Sequence, residues 1–319
     1  MNDSLSRRQF IGQSTLLTLG LAGAASLIRP VSLRGAEPVK RPGGPRLKIG
    51  LNAYCFDPML RENLKDAAKG MSLFDVLEYC AEQNVEAIDP TGYYFPGYPE
   101  VPRDKFLNEF KLRAFNLGLD ISGTGIKNDF AAPNAAARAK DVERAKQWIE
   151  AAARMGSPVL RVFAGAVPPK PHTWDEAAKW MADALHACVE HGEKYGVIVG
   201  LQNHGDMLQT ADECLKVLGL VKSPWIGLIL DTGNFLTPDP YVDIARVIPV
   251  TVNWQIKELL LSNKGPKTDL PKLVRIIRAG GYRGYIPIET LSIRGVPYDA
   301  KARATELLAD LRAALAQTA

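Results

Sequence analysis

Short apolar runs alternate with longer amphipathic segments along most of this chain. Eight of these runs are predicted strands, and each precedes a segment with helical spacing of its apolar residues. The predicted strands begin near Leu47, Val85, Leu119, Pro158, Val197, Ile226, Val250 and Gly284. Residues of the helix-capping type lie between them at Ser72, Asn134, Thr173, Thr210, Asp239, Asp269 and Asp299. This strict alternation predicts an α/β fold, a single (β/α)₈ TIM barrel over residues 47–319.

An open, doubly wound sheet would show the same alternation of strands and helices. Its dinucleotide-binding members carry a Gly-x-Gly-x-x-Gly turn after the first strand. The first predicted strand, residues 47–54, has no such turn after it. The barrel is therefore the favoured fold, and no dinucleotide site is expected.

The first 36 residues have the pattern of an export signal. Ser6-Arg7-Arg8-Gln9-Phe10-Ile11 precedes a mildly apolar run over residues 11–28. This resembles a twin-arginine signal, so we expect residues 1–36 to be a leader, residues 37–46 a linker and the mature protein periplasmic. A short membrane anchor is the alternative. Because glycine and serine interrupt the run, we expect no stable anchor.

Charge and cysteine content narrow the function classes. The whole chain has a formal net charge of +4. Removing residues 1–36, with four arginines and one aspartate, leaves +1. A nearly neutral domain has no general field for nucleic acid, so no such partner is expected. The four cysteines are widely spaced, which favours buried free thiols over a metal or redox cluster.

Polar side chains end the last four predicted strands. Counting by twos along each strand places Gln202, Asp231, Gln255 and Glu289 at equivalent heights on the face that would line the barrel. Barrel active sites lie at this end of the strands. Four oxygen-bearing groups there can hold a divalent cation, and a hydrogen-bonded polar cluster in a wet pocket is the alternative.

Several segments together are similar to the xylose isomerase-like TIM barrel superfamily, which includes sugar (and sugar-phosphate) isomerases and epimerases. They are Leu201-Gln-Asn-His-Gly205, Asp231-Thr-Gly-Asn-Phe235, residues 252–257 and Tyr282-Arg-Gly-Tyr-Ile-Pro-Ile-Glu289. The resemblance implies one divalent metal, held by a Glu, an Asp, a His and a second Glu from the last four strands. It also implies that the two Glu act as acid and base.

Two positions depart from that pattern. Gln202 replaces the first Glu, and Gln255 or Asn253 replaces the His, while Asp231 and Glu289 match. An amide oxygen can bind a cation but cannot take a proton. Without an imidazole, Mg²⁺ or Mn²⁺ is favoured, Zn²⁺ or Co²⁺ remains an option, and function without a metal stays open.

The implied chemistry is proton transfer next to a carbonyl of a sugar or keto-sugar. Glu289 is the expected general base, with His204 or Lys257 as its partner. Each of the latter two could instead be an ordinary loop or strand-end residue. The expected substrate-binding residues are Arg161, Asn128, Asn234 and Tyr94, for which an ion pair, a loop cap or lid packing is the alternative.

Other functions fit the same fold. The missing second Glu suits a keto-sugar lyase or hydratase, and a sugar-binding barrel without catalysis is a third reading. A zinc endonuclease of the endonuclease IV type is disfavoured, because the chain has only four histidines. The expected partner is a small carbohydrate, and a homo-oligomer remains open.

Overall fold

The structure, a computed structural model, describes residues 38–204, 207–262, 264–293 and 295–318. The predicted leader over residues 1–36 lies outside these ranges, so export stays a prediction. None of the helices in the described ranges is both long and apolar enough to span a bilayer.

All strand pairs in the main sheet are parallel, and together they form a TIM barrel, as predicted. The sheet order is β3-β2-β1-β9-β8-β7-β6-β5-β4. The strands are β1 Arg46–Asn52, β2 Ala87–Asp89, β3 Asp120–Ile121, β4 Thr124–Gly125, β5 Val159–Phe163, β6 Ile198–Gln202, β7 Ile226–Asp231, β8 Thr251–Lys257 and β9 Arg283–Glu289.

The α-helices surround the sheet, and all but two of those in the described ranges follow a predicted capping residue. They are α1 Asp57–Lys65, α2 Leu73–Glu82, α3 Asp104–Asn116, α4 Ala135–Met155, α5 Trp174–Tyr195, α6 Ala211–Leu220, α7 Pro240–Val247, α8 Leu270–Ala279 and α9 Ala300–Gln317. Thr173 and Thr210 each close a capping box, as their spacing to a Glu three residues later predicts, and Ser72, predicted as a helix cap, also closes one. The short helix α1 was not predicted from the sequence.

The predicted third strand, residues 119–124, is split into β3 and β4. At the break, Asn253 Nδ2 donates to the carbonyl of Ser122 at 3.2 Å. A Cβ on Gly123 would lie 2.8 Å from Asp89 Oδ2. At this break, the Asp89 side chain fills the space beside Gly123, and the Asn253 side chain takes the Ser122 carbonyl as its hydrogen-bond acceptor. A regular strand cannot continue through this point. β3 pairs with β2 and β4 pairs with β5, so the two halves close the barrel.

The outer faces of the strands pack under the helices to form the core. Trp148 on α4 is fully buried, with its ring centroid 5.6 Å from that of Phe95. The segment before β1, predicted as a linker, contacts the barrel directly. Val39 N donates to the Pro249 carbonyl at 2.9 Å, and the Arg41 guanidinium lies 4.8 Å from the Tyr282 ring centroid.

Candidate functional site

A cavity of about 660 Å³ opens at the carboxyl ends of the strands. On one side, aromatic rings line it, and we call these the aromatic wall: Tyr54, Tyr93, Tyr98 and Phe163. On the other side lie the ends of β6 to β9, whose side chains we call the polar cluster: Gln202, Asp231, Gln255, Lys257 and Glu289. A cavity of this size, with apolar walls and a few convergent polar groups, is typical of a small-molecule site.

Lys257 lies at the centre of the polar cluster. Its ammonium is in direct contact with Glu289 Oε1 and lies 3.4 Å from Asp231 Oδ2. All three side chains are buried. One positive charge therefore bridges two carboxylates, and the group as a whole carries a net charge of −1 when all three are ionised.

Burial and charge compete in setting the pKa values of these groups. Burial alone would lower the pKa of Lys257, but the charges of Asp231 and Glu289 outweigh it and raise that pKa above its usual value. Burial raises the pKa of Glu289, although Lys257 pulls it in the opposite direction. The lysine is therefore a permanent cation, while Glu289 is a more basic carboxylate than one in water.

Gln202 is oriented by its acceptors. Its Nε2 donates to Asp231 Oδ2 at 2.8 Å and to Gln255 Oε1 at 2.5 Å. If the amide were flipped, Oε1 would face the Asp231 carboxylate and two acceptors would repel each other. The orientation with Nε2 toward Asp231 is therefore favoured. Gln202 Oε1 is then buried with no hydrogen-bond partner among the described residues. It is an acceptor that a substrate hydroxyl can satisfy.

The strand register corrects the expectation that the four candidate ligands share one height. Asp231 pairs with Gln255, but Gln202 pairs with Ile229, and Glu289 pairs with Lys257. Strand tilt in a barrel produces this stagger. Lys257, rather than Gln255, is therefore the neighbour of Glu289.

The polar cluster as arranged does not fit a divalent cation. The Lys257 ammonium lies between the two carboxylates that would have to bind the metal, and Gln202 turns its amide nitrogen toward Asp231. A metal there would meet a cation at short range in a buried site, which is strongly unfavourable. Within the described ranges, no group of three or more His, Cys, Asp or Glu side chains is arranged to hold a metal.

Asn203 and Thr232 fix the ends of β6, β7 and β8 relative to one another. The Asn203 amide donates to the Asp231 carbonyl at 2.9 Å and accepts from the Asp231 N–H at 2.7 Å. Thr232 Oγ1 accepts from the Lys257 N–H at 2.8 Å. These buried bonds hold Asp231 and Lys257 at a set separation, and sequence reasoning assigned neither Asn203 nor Thr232 a role.

Arg161 lies on the aromatic side of the cavity. Its guanidinium carbon is 4.0 Å from the Phe163 ring centroid and 5.4 Å from that of Tyr93. Nη2 donates to the Tyr93 hydroxyl at 2.7 Å, and Nη1 donates to the Ile126 carbonyl at 2.5 Å. The structure therefore places Arg161 at the cavity, and none of the described residues forms the ion pair with it that was the alternative interpretation.

The other predicted residues divide into two groups. His204 and Asn234 line the cavity, and the His204 ring packs edge-on to Phe163 with centroids 4.8 Å apart. Asn128 instead exchanges two 2.8 Å hydrogen bonds with the backbone of Phe163, and the Tyr94 hydroxyl donates to Asp57 at 2.6 Å. Those two do not appear among the described residues that line the cavity. Tyr93 faces the cavity in place of Tyr94.

Sequence reasoning missed Asp89, at the end of β2. It is 4% exposed, and Asn253 Nδ2 lies 3.4 Å from its Oδ2. Burial raises the pKa of Asp89 to about 7, although the charge of Arg161 opposes this. The sequence does show a carboxylate at the end of a predicted strand, which is a signal for a site residue. However, β2 is too short to show the alternation that would place the Asp89 side chain inside the barrel.

Comparison with solved structures finds the same fold in sugar epimerases. L-ribulose 3-epimerase superposes with a TM-score of 0.68 at 18% identity, covering 85% of this chain and 97% of that one. A 3-keto-D-glucoside 4-epimerase from E. coli superposes with a TM-score of 0.63 at 17% sequence identity, and the match covers 84% of this chain and 100% of that one. D-psicose 3-epimerase from Clostridium cellulolyticum H10, solved with D-tagatose, superposes with a TM-score of 0.66 at 14% sequence identity. That match covers 85% of this chain and 98% of the other.

No curated protein matches this chain in sequence. The model of one protein family does match, over residues 77–314, which is most of the barrel. Together with the parallel barrel and the resemblance at the strand ends, this match shows that the chain belongs to the xylose isomerase-like TIM barrel family.

Proposed function

We propose that this protein transfers a proton at the carbon next to a carbonyl in a sugar or keto-sugar, as an isomerase or epimerase does. The observation that carries the proposal is the contact between Lys257 and Glu289 inside the cavity. A buried carboxylate beside a fixed cation joins a proton acceptor to a group that stabilises the resulting oxyanion. The fold shared with sugar epimerases supports a sugar or keto-sugar as the substrate.

In the first step, Glu289 takes the proton from the carbon next to the carbonyl. The electron pair of the broken C–H bond forms a carbon–carbon double bond, and the carbonyl oxygen becomes an enolate oxygen. Lys257 donates a hydrogen bond to that oxygen, and Asp231 keeps the ammonium charged and aimed. Since burial raises the pKa of Glu289, proton transfer to it is less uphill than to a carboxylate in water.

The second step returns a proton to the intermediate. Glu289 can return it to the same face of the same carbon, which gives exchange. For isomerisation, the hydroxyl proton of the intermediate first moves to the former carbonyl oxygen, and Glu289 then returns its proton to the neighbouring carbon. Epimerisation needs a donor on the opposite face, and Gln202 cannot serve because an amide does not titrate. His204 lines the same cavity, and an imidazole can both take up and give back a proton, so we assign this role to His204.

The test is incorporation of solvent deuterium into ketoses and keto-glycosides, followed by NMR. We expect exchange with wild-type protein and a loss of at least about 100-fold in Glu289→Gln, because the amide cannot accept the proton. Glu100→Gln, at an exposed loop residue, is the matched control and should exchange normally. Absence of exchange with every sugar tested would contradict the proposal and favour a barrel that only binds.

A second experiment addresses the metal. Because Lys257 occupies the space between the carboxylates, we expect wild-type protein to show no stoichiometric Mn²⁺ binding by electron paramagnetic resonance. Lys257→Met removes the ammonium and should allow Mn²⁺ to bind to the carboxylate oxygens that Lys257 contacts in the wild type. Proton exchange should fall by about 100-fold or more. Lys140→Met, on the exposed face of α4, should change neither. One tightly bound Mn²⁺ per wild-type chain would overturn this assignment.

A keto-sugar lyase or hydratase is the second candidate, and the replacement of a carboxylate by Gln202 favours it. Elimination begins with the same proton abstraction by Glu289, and the leaving group departs with a proton from His204, since Lys257 keeps its charge. It needs one carboxylate rather than two. Loss of water, with appearance of an ultraviolet-absorbing unsaturated ketone, would identify this reaction. Inversion of the carbon centre would identify epimerisation instead.

A further inference from the structure

Arg161 is a buried cation without a carboxylate partner. It is 5% exposed, and its hydrogen bonds go to a backbone carbonyl and a tyrosine hydroxyl, both uncharged. No ion pair to Arg161 occurs within the part of the chain that the structure describes. Burying a charge without a counter-charge is costly, so a folded protein rarely keeps such a group without a use for it.

The position of the guanidinium is built into the fold. Phe163 and Tyr93 flank it, and the Tyr93 hydroxyl holds Nη2. Gly125 of β4 leaves room for it, because a Cβ there would lie 2.6 Å from Arg161 Nε. Two of the five N–H donors are used by these hydrogen bonds, which leaves donors for a ligand in the cavity. Such a preorganised fork is suited to a planar oxyanion.

The neighbouring acids do not neutralise this charge by contact. Glu289 is already paired with Lys257, and Asp89 acts on Arg161 only at longer range. Arg61, another cation at the cavity, is matched by Asp57 at 2.7 Å. Lys127 also lines the cavity, but it is exposed to solvent. Among the described residues, Arg161 is therefore the one buried positive charge on the aromatic side of the cavity that has no carboxylate in direct contact.

We propose that Arg161 binds the carboxylate of the substrate, so that the protein acts on a sugar acid or keto-sugar acid rather than on a neutral sugar. This rests on the proposed function for its reacting end. A single guanidinium matches a singly charged carboxylate, whereas a phosphate dianion would bring a second charge into the cavity, where the described aromatic side has no second buried cation to match it. The substrate then spans the cavity, with its acid group at Arg161 and its carbonyl at Lys257.

The experiment is calorimetric binding of matched pairs to the full chain. The acids are hexuronates, aldonates and 2-keto-aldonates, each compared with its neutral parent sugar, and a hexose 6-phosphate is the other anion. We expect at least one acid to bind about 10- to 100-fold more tightly than its parent. Arg161→Gln should remove that preference, and Arg161→Lys should restore part of it. Arg61→Gln should keep it, since Asp57 matches that charge.

The wild-type pairs decide the question even where a variant fails to fold. Equal affinity for every acid and its parent, or tighter binding of the phosphate than of every acid, would overturn the carboxylate site. Deuterium exchange into neutral keto-sugars with no acid preference would overturn this inference and keep the proposed function. Acid-selective binding that depends on Arg161, without any deuterium exchange, would keep this inference and overturn the proposed function.

Discussion

The chemistry of this site depends on which side chain faces which at the ends of four strands. Lys257 reaches both Asp231 and Glu289, and this one residue changes a set of metal-ligand candidates into a closed ion network. Breaking such a network leaves a buried charge unpaired, which typically costs several kcal/mol. Substitutions at these positions therefore need a stability measurement beside every activity measurement.

Asp89 makes stability depend on pH. Its pKa is about 7 in the folded protein and 3.8 without burial, so between these values the folded state holds more protons than the unfolded state. Stability contributed by the neutral carboxyl is thus lost as the pH rises from about 4 to about 7. The side chain introduced by Asp89→Asn does not titrate. Between pH 4 and pH 8, we therefore expect the free energy of unfolding of this variant to rise by on the order of 2–4 kcal/mol relative to that of wild type.

Urea unfolding of both proteins across this range measures the effect. Asp183→Asn, on the exposed side of α5, is the control and should follow the wild-type pH profile. A constant difference between Asp89→Asn and wild type at all pH values would show that burial does not raise the pKa of Asp89. The prediction depends on tertiary structure, because the sequence does not reveal that this carboxyl is surrounded by protein.

At the scale of single elements, β8 carries the largest share of the site. Asn253, Gln255 and Lys257 alternate with apolar residues along this strand, and all three are buried. An irregularity in the pairing of β7 with β8 lies between Leu228 and Ile229. Gly227 lies just before it, where a Cβ would be 2.3 Å from Val252 Cγ1. This glycine allows β8 to approach β7 closely.

Gly227→Ala should therefore destabilise the barrel by about 1–3 kcal/mol, because the strands must separate to admit the methyl group. Gly219→Ala is the matched control on α6, where a Cβ would meet nothing within 4 Å. There we expect a gain of about 0.5–1 kcal/mol from helix propensity. Thermal unfolding of the two variants measures both effects, and equal destabilisation would contradict the close-approach argument.

At the scale of the whole molecule, the barrel and its helices form one core that includes all four cysteines. Cys55, Cys80, Cys188 and Cys214 are buried free thiols, as their spacing suggested. Burial raises the pKa of Cys55 and of Cys188 to about 12. Since the thiolate is the reactive form, native protein should not react with a disulfide reagent.

In denaturant, the four thiols should become reactive together, with the same midpoint as tryptophan fluorescence, if the described barrel unfolds as one unit. The four residues lie on four different elements, so they report on separate parts of the barrel. A thiol that reacts in native buffer, or well before the fluorescence change, would reveal a part of the barrel that opens independently.

The sequence by itself determined the fold, most element boundaries and the end of the barrel that carries the site. Capping boxes at Ser72, Thr173 and Thr210 and the alternation in β8 are local signals, because each depends on residues a few positions apart. The same local signals placed Gln202, Asp231, Gln255 and Glu289 on one surface.

Only the tertiary structure decided how those side chains meet. Register and strand tilt place Lys257, not Gln255, beside Glu289, and the split third strand brings Asn253 against Ser122. Burial then sets the charges of Asp89 and Glu289, and the loop after β2 presents Tyr93 rather than Tyr94 to the cavity. Packing between distant parts of the chain produces these contacts, so no short stretch of sequence could specify them.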